Sequence, residues 1–268
     1  MVVSISSAVY FILTGAVAGF FAGLLGIGGG VILAPFFFFY FERIGISSQI
    51  LSQVVFGTNL FIIVFTSISS AIGHQLNRNI LWKAVFPLAI GSVIGALGGS
   101  KVADITSSFI LKKIFAVIMF YAASQIFFNF RKERKGSPVY DYKILIPAGI
   151  VEGFVASLLG VGGGSIMVPM MIILFHFPLK KVAGTSSATI IFTSITAVIG
   201  YIIHGAGNPL LPARNIGYVN VNVALPIMIG TVIFAHLGVY INKSLNVKSL
   251  KKIFGVFLFI VGIELLIS

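Results

Sequence analysis

The sequence predicts an all-α polytopic membrane protein made of two homologous repeats of about four hydrophobic segments each, about eight membrane segments in all. Three observations predict it. Hydrophobic residues make up 58% of the 268 and charged residues only 9%, where a soluble domain carries about 25%. The apolar residues fall into long blocks, each near or above the ~20 residues that a helix needs to cross a bilayer. The order of blocks and polar residues in the first half then returns in the second, as an internal repeat requires.

The blocks run Val9 to Phe41, Ile50 to Ile72, Ile80 to Gly99 and Phe109 to Phe130, then Ile144 to Phe177, Gly184 to Ile203, Val219 to Ile241 and Leu250 to Ile267. One polar linker separates the halves, which gives repeat 1 (residues 1–130), a cytoplasmic linker (131–143) and repeat 2 (144–268). Residue matches support the duplication. Gly23-Leu24-Leu25-Gly26-Ile27-Gly28-Gly29-Gly30 with Pro35 aligns at one offset with Ser157-Leu158-Leu159-Gly160-Val161-Gly162-Gly163-Gly164 with Pro169. Gly57-Thr58 aligns with Gly184-Thr185, Ala71-Ile72-Gly73 with Val198-Ile199-Gly200, and Pro87 and Gly91 with Pro226 and Gly230. Leu111-Lys112-Lys113-Ile114-Phe115 recurs unchanged as Leu250-Lys251-Lys252-Ile253-Phe254.

The first block of each half decides the topology. If it crosses once, the halves are parallel; if it enters and returns as a broken or hairpin helix, they are inverted. Basic residues concentrate on the cytoplasmic side of short loops. With the linker inside, single crossings leave eight Lys and Arg inside and ten outside, whereas hairpins put thirteen inside and five outside. Inverted repeats with both termini outside are therefore favoured, although Lys101, Lys112 and Lys113 then fall outside.

The net charge of +12 sits in these short loops. Topology and anionic lipids account for it, so membrane lipids are expected as partners and nucleic acid is not. Carboxylates inside the blocks would mark a cation path; the shortage of them favours an anionic or neutral substrate. The absence of cysteine excludes disulfides and thiolate chemistry. No Lys or Arg precedes Arg43, so the first block is expected to belong to the mature fold rather than to a signal peptide. The expected location is the plasma or inner cell membrane.

The glycine element is the main functional candidate. Three consecutive glycines weaken a helix by roughly 1 kcal/mol each relative to alanine. In lipid such a break survives only when buried in protein or lining a wet cavity, and matched breaks in two repeats point to a transporter site. A helix starting at Gly30 or Gly164 would offer free N–H groups and its positive dipole end to an oxyanion. The expected substrate-binding residues are Gly28, Gly29, Gly30, Gly162, Gly163, Gly164 and Ser165, joined by Thr58, Asn59, Thr185, Ser186 and Ser187 where the second block of each half opens. Close helix packing is the competing reading for glycine and is the one assigned to Gly15 and Gly19; interhelical bonding competes equally for the hydroxyls. The element is no nucleotide loop, since Val31 replaces the third glycine of the dinucleotide pattern and no Lys-Ser or Lys-Thr follows.

Glu152 is the one carboxylate well inside a block and, with His74, the candidate for a coupling proton; an interfacial placement competes for both. Gly-x-Ser-x-Gly, His-Glu-x-x-His and an intramembrane aspartate pair are all absent, so no enzyme, metal or cofactor is expected. Gly29→Leu or Gly163→Leu is expected to abolish transport while leaving expression largely intact.

Gly-Leu-Leu-Gly-Ile-Gly-Gly-Gly at 23–30, then Pro35, Gly57-Thr58 and Gly73-His74, repeated in a second half, resembles the TauE/SafE family, also called the sulfite exporter or TSUP family. The resemblance covers essentially the whole chain. It implies a permease with duplicated halves moving sulfur-containing oxyanions such as sulfite or an organosulfonate, proton-coupled, by alternating access. An anion-selective channel, or a transporter of another small carboxylate or phosphate, stays open on the residues alone, as does a homo-oligomer. Two departures break the match between halves: Tyr201 stands where the first half has His74, and Ser157 where it has Gly23.

Overall fold

The structure is a computed structural model that describes residues 5–127, 137–212, 214–242 and 248–267. Most of the basic linker, 131–136, and Lys243 lie outside the described residues, so the charge count that favours one topology is only partly visible.

Ten helices are described: α1 (Ile5–Leu25), α2 (Gly30–Arg43), α3 (Leu51–Leu76), α4 (Trp82–Ile105), α5 (Ser108–Phe127), α6 (Tyr142–Leu158), α7 (Gly164–Ile173), α8 (Leu179–Gly205), α9 (Val221–Asn242) and α10 (Lys248–Ile267). Between α8 and α9 lies a small antiparallel pair, β1 (Asn215–Ile216) with β2 (Val219–Asn220). Five helical stretches, Ser7–Leu25, Leu51–Leu76, Trp82–Ile105, Leu179–Gly205 and Val221–Ile241, are long and apolar enough to cross a membrane. The chain is thus an all-α, multi-pass membrane protein.

Each long first block is two helices separated by the glycines. Gly26, Gly28 and Gly29 take φ of 68°, 78° and 78°, and Gly160, Gly162 and Gly163 take 63°, 72° and 81°. Side-chain-bearing residues avoid this left-handed region, so the glycines here are a backbone requirement. The chain then turns back. Phe36 of α2 lies 5.8 Å from Tyr10 of α1, and Tyr40 lies 5.2 Å from Phe11, ring centre to ring centre. In the second half the Val139 N–H, just ahead of α6, bonds to the Phe175 carbonyl just past α7 at 2.9 Å, and Tyr140 stacks on Phe177.

The helices of the two halves interlock. α1 packs on α9, α6 packs on α4, α3 crosses α8, and α5 pairs with α10. The first two pairs approach backbone to backbone. A Cβ on Gly15, Gly19 or Gly23 would run into the backbone of Ile227, Thr231 or Ala235, and one on Gly91, Gly95 or Gly99 into that of Ile146, Ile150 or Phe154. Small residues at four-residue spacing allow this approach, so Gly15 and Gly19 serve packing. Gln53, near the start of α3, donates from Nε2 to the carbonyls of Ala103 and Thr106 and so ties α3 to the α4–α5 turn.

Candidate functional site

The two glycine breaks meet inside the protein. A Cβ on Gly164 would collide with Ile27 and the Gly26 carbonyl, and one on Gly30 would lie 2.9 Å from the Val161 carbonyl and 3.0 Å from Asn59 Nδ2. α2 begins at Gly30 and α7 at Gly164, as the sequence predicts, with Gly29 and Gly163 as left-handed N-caps that carry no side-chain cap. The first N–H groups paired within the turns are Ile32 and Leu33 to Gly29, and Ile166 and Met167 to Gly163. N–H groups ahead of those point off the helix start. Ile63 of α3 and Ile190 of α8 both lie against Gly28 and Gly162, so one pair of apolar side chains covers both breaks.

Polar side chains of α3 and α8 hold the breaks crosswise. Asn59 Nδ2 donates to the Gly30 carbonyl at 2.9 Å and to the Gly160 carbonyl, in the other half, at 2.7 Å. Ser186 Oγ donates to the Gly26 carbonyl at 2.9 Å. Each central helix thereby satisfies a carbonyl that the other half's broken helix leaves free.

The remaining hydroxyls differ in placement. Thr58 Oγ1 accepts the Asn220 N–H at 3.0 Å, and Thr185 Oγ1 accepts the Leu81 N–H at 3.0 Å. Asn220 and Leu81 immediately precede α9 and α4, so the two threonines cap neighbouring helices. Ser187 Oγ pairs with Ser70 Oγ at 2.9 Å. Ser165, in the first turn of α7, is buried, and its Oγ has no partner among the described residues. Thr185, Ser186 and Ser187 lie in the second and third turns of α8, which starts at Leu179 rather than at Gly184.

The two sequence departures are one exchange. His74 Nε2 lies 3.3 Å from the Gly23 carbonyl, and the Tyr201 hydroxyl donates to the Ser157 carbonyl at 3.0 Å. The same carbonyl in each half is held by a different donor. Leaving a buried acceptor unpaired costs about 1–3 kcal/mol, so Tyr201→Phe is expected to lose about that much stability in a denaturation midpoint, and a smaller change would show that the bond is idle.

Glu152 is fully buried in the protein. Its Oε2 accepts from Thr193 Oγ1 at 3.5 Å, while Oε1 has no partner and lies where a Cβ on Gly163 would be. In the first half the residues against Gly29 are Ala18 and Ala22; at the offset that aligns the breaks these match Glu152 and Ala156. The carboxyl is therefore added to one break only. Sequence reading singled out Glu152 but not its neighbour; the same offset, applied backward to Ala18, was the available signal. Among the described residues no three His, Cys, Asp or Glu are grouped to hold a metal.

One expectation needs correction. Gly29 and Gly163 are left-handed, and a side chain at either would meet α1 or Glu152. Leucine there is strained whatever the space, so a loss of transport in either variant reports backbone strain as well as any lost anion contact.

An apolar helical bundle with two paired helix breaks defines the class as a multi-pass membrane protein. The chain belongs to the family described as sulfite exporter TauE/SafE, which matches residues 11–265. It is 30% identical to a "Probable membrane transporter protein" of Haemophilus influenzae over 96% of this chain and 97% of that one. A protein of Methanocaldococcus jannaschii with the same description is 30% identical over 96% and 94%. The "Probable membrane transporter protein YunE" of Bacillus subtilis is 28% identical over 97% of each. No solved structure matches the chain.

Proposed function

We propose that the protein is a secondary permease that carries a small sulfur-containing oxyanion, sulfite or an organosulfonate, across the cell membrane by alternating access, with proton coupling. The observation that carries this reading is the meeting of two uncapped helix starts, at Gly30 and Gly164, deep in the protein. Such starts offer N–H donors and positive dipole ends to an oxyanion without a cationic side chain. Ser165 Oγ adds a buried donor that has no other use among the described residues. Sulfonate and sulfite are compact and rich in acceptors, which suits a site rich in N–H and O–H donors, and the family's description favours them over carboxylate or phosphate.

The two halves are read as inverted repeats. The return of α2 along α1, and of α7 to the start of α6, supports hairpins. Lys181 Nζ donates to the Arg78 carbonyl, which supports placing those two basic loops on one face, taken as cytoplasmic. Alternating access then amounts to a rearrangement of the helices about the joined breaks. The cover formed by Ile63 and Ile190 is the natural barrier on one side. Of the two proton candidates, the geometry favours Glu152, since His74 holds a carbonyl that the Tyr201 hydroxyl holds in the other half.

The test is a thermal-shift series on the purified protein with sulfite, thiosulfate, sulfoacetate, taurine, sulfate, phosphate, acetate and chloride. A ligand that binds only the folded state at 100 times its Kd stabilises it by about 2.7 kcal/mol. A rise with sulfite or one sulfonate is expected. Ser165→Ala is expected to keep the ligand-free melting point and to weaken that ligand about ten- to a hundredfold, since one lost hydrogen bond to a charged group costs about 1.5–3 kcal/mol. No shift with any anion, in a protein that melts cooperatively, would overturn the reading.

A further inference from the structure

The two breaks match in backbone but not in chemistry. We infer that the Gly162-Gly163-Gly164 element holds its anion only together with a proton on Glu152, whereas the Gly28-Gly29-Gly30 element, with Ala18 in the matching place, has no such carboxyl. The inference rests on the anion reading and adds to it an inequality between the halves and a stoichiometry of one proton per anion.

The geometry is specific. Glu152 is fully buried on α6, and its Oε1 is unpartnered and touches the N-cap of α7. An anion seated on the α7 N-terminus would lie beside that oxygen. Ionised, the carboxylate can only accept and repels a second negative charge in a medium of low dielectric. Protonated, it is neutral and turns one oxygen into a donor. Anion and proton therefore favour each other's binding, and linkage makes the coupling reciprocal.

Among the described residues no other titrating group faces this carboxyl. α7 carries none, and Gly163 faces Glu152 from it. From α8 the facing group is Thr193; the titratable residues of α8 are Lys180 and Lys181 in its first turn and Tyr201 and His204 near its end. From α4, which packs along α6 through Leu88 and Ser92, the titratable residues are Lys83 in the first turn and Lys101 and Asp104 near the end.

The experiment is calorimetric titration of the full chain with methanesulfonate and with thiosulfate, from about pH 5.5 to 9, where neither ligand changes charge. For the wild type, affinity is expected to fall about tenfold per pH unit once Glu152 loses its proton, and buffers of different ionisation enthalpy should report about one proton taken up per anion. Glu152→Gln keeps the shape and a donor without a charge; its affinity should be flat with pH and its proton uptake near zero. Thr193→Ala tests the same carboxyl without altering it and should move the pH at which affinity starts to fall while leaving the slope. Binding without proton uptake in the wild type, or an unchanged slope in Glu152→Gln, overturns the inference and leaves the anion site standing. Binding of neither anion at any pH overturns both.

Discussion

Replacing Asn59 with leucine is expected to abolish transport and to lower stability by about 1–3 kcal/mol, the cost of leaving the buried Gly160 carbonyl unpaired. Asn59 Nδ2 bonds the Gly30 carbonyl of its own half and the Gly160 carbonyl of the other. The Gly160 carbonyl lies at a left-handed turn residue past the end of α6, where no helical N–H is placed to take over its bond. Lipid offers no substitute donor. Leucine is close enough in size to fill the space, so the loss reports hydrogen bonding rather than a cavity. Asn59→Asp should do comparable damage, because a carboxylate brings a second acceptor to two carbonyl oxygens. Ser186→Ala, which removes one bond to Gly26, should cost about 1–3 kcal/mol and leave measurable transport. Denaturation midpoints and uptake into proteoliposomes check all three; an Asn59→Leu protein that melts and transports normally would show that the breaks hold themselves together.

The parts of this fold that were legible in the sequence are those written in local chemistry. Three glycines in a row cannot continue a helix in lipid, so the breaks at 26–29 and 160–163 and the helix starts at Gly30 and Gly164 followed from composition alone. The spacing of Gly15 and Gly19 spoke for close packing, and α9 supplies the backbone they meet. What stayed hidden depends on partners far along the chain. Asn59 is separated from Gly160 by 101 residues, and nothing in the pattern around Asn59 names that carbonyl. Thr58 and Thr185 read as site residues because a hydroxyl in an apolar helix has several uses; only the approach of Asn220 and Leu81 shows which is in play. The exchange of His74 for Tyr201 looked like a loss of symmetry, yet each side chain reaches the carbonyl at the same point of its half. A residue match compares side chains, whereas the constraint here is a single donor at a fixed position, which two unlike residues can meet.

The glycines of α4 yield the second large prediction, with its control in the same helix. Gly95→Leu is expected to leave no folded protein. A Cβ at Gly95 would collide with the Ile150 carbonyl and lie 2.7 Å from the Phe154 nitrogen, both backbone atoms of α6 that cannot rotate away. The helices would have to part, and the contacts at Gly91, Gly99, Gly149 and Gly153 would open with them, since all five glycines serve one interface. Overpacking in a core typically costs about 1–3 kcal/mol and occasionally more. Here the cost is larger because helix association in lipid depends on close packing, with no hydrophobic effect to replace it. At Gly98 a Cβ would meet only the ring of Phe154, at 3.5 Å, an ordinary contact. Gly98→Ala is therefore expected to stabilise the helix by up to about 1 kcal/mol, while Gly95→Ala and Gly99→Ala weaken the protein. Size-exclusion profiles and melting curves of the four variants distinguish the cases; equal behaviour of Gly95→Ala and Gly98→Ala would mean that α4 and α6 do not touch along this face. The same interface carries Glu152 next to Gly153, so any variant that parts α4 from α6 and still folds should also shift the carboxyl from Gly163 and weaken the pH dependence of anion binding.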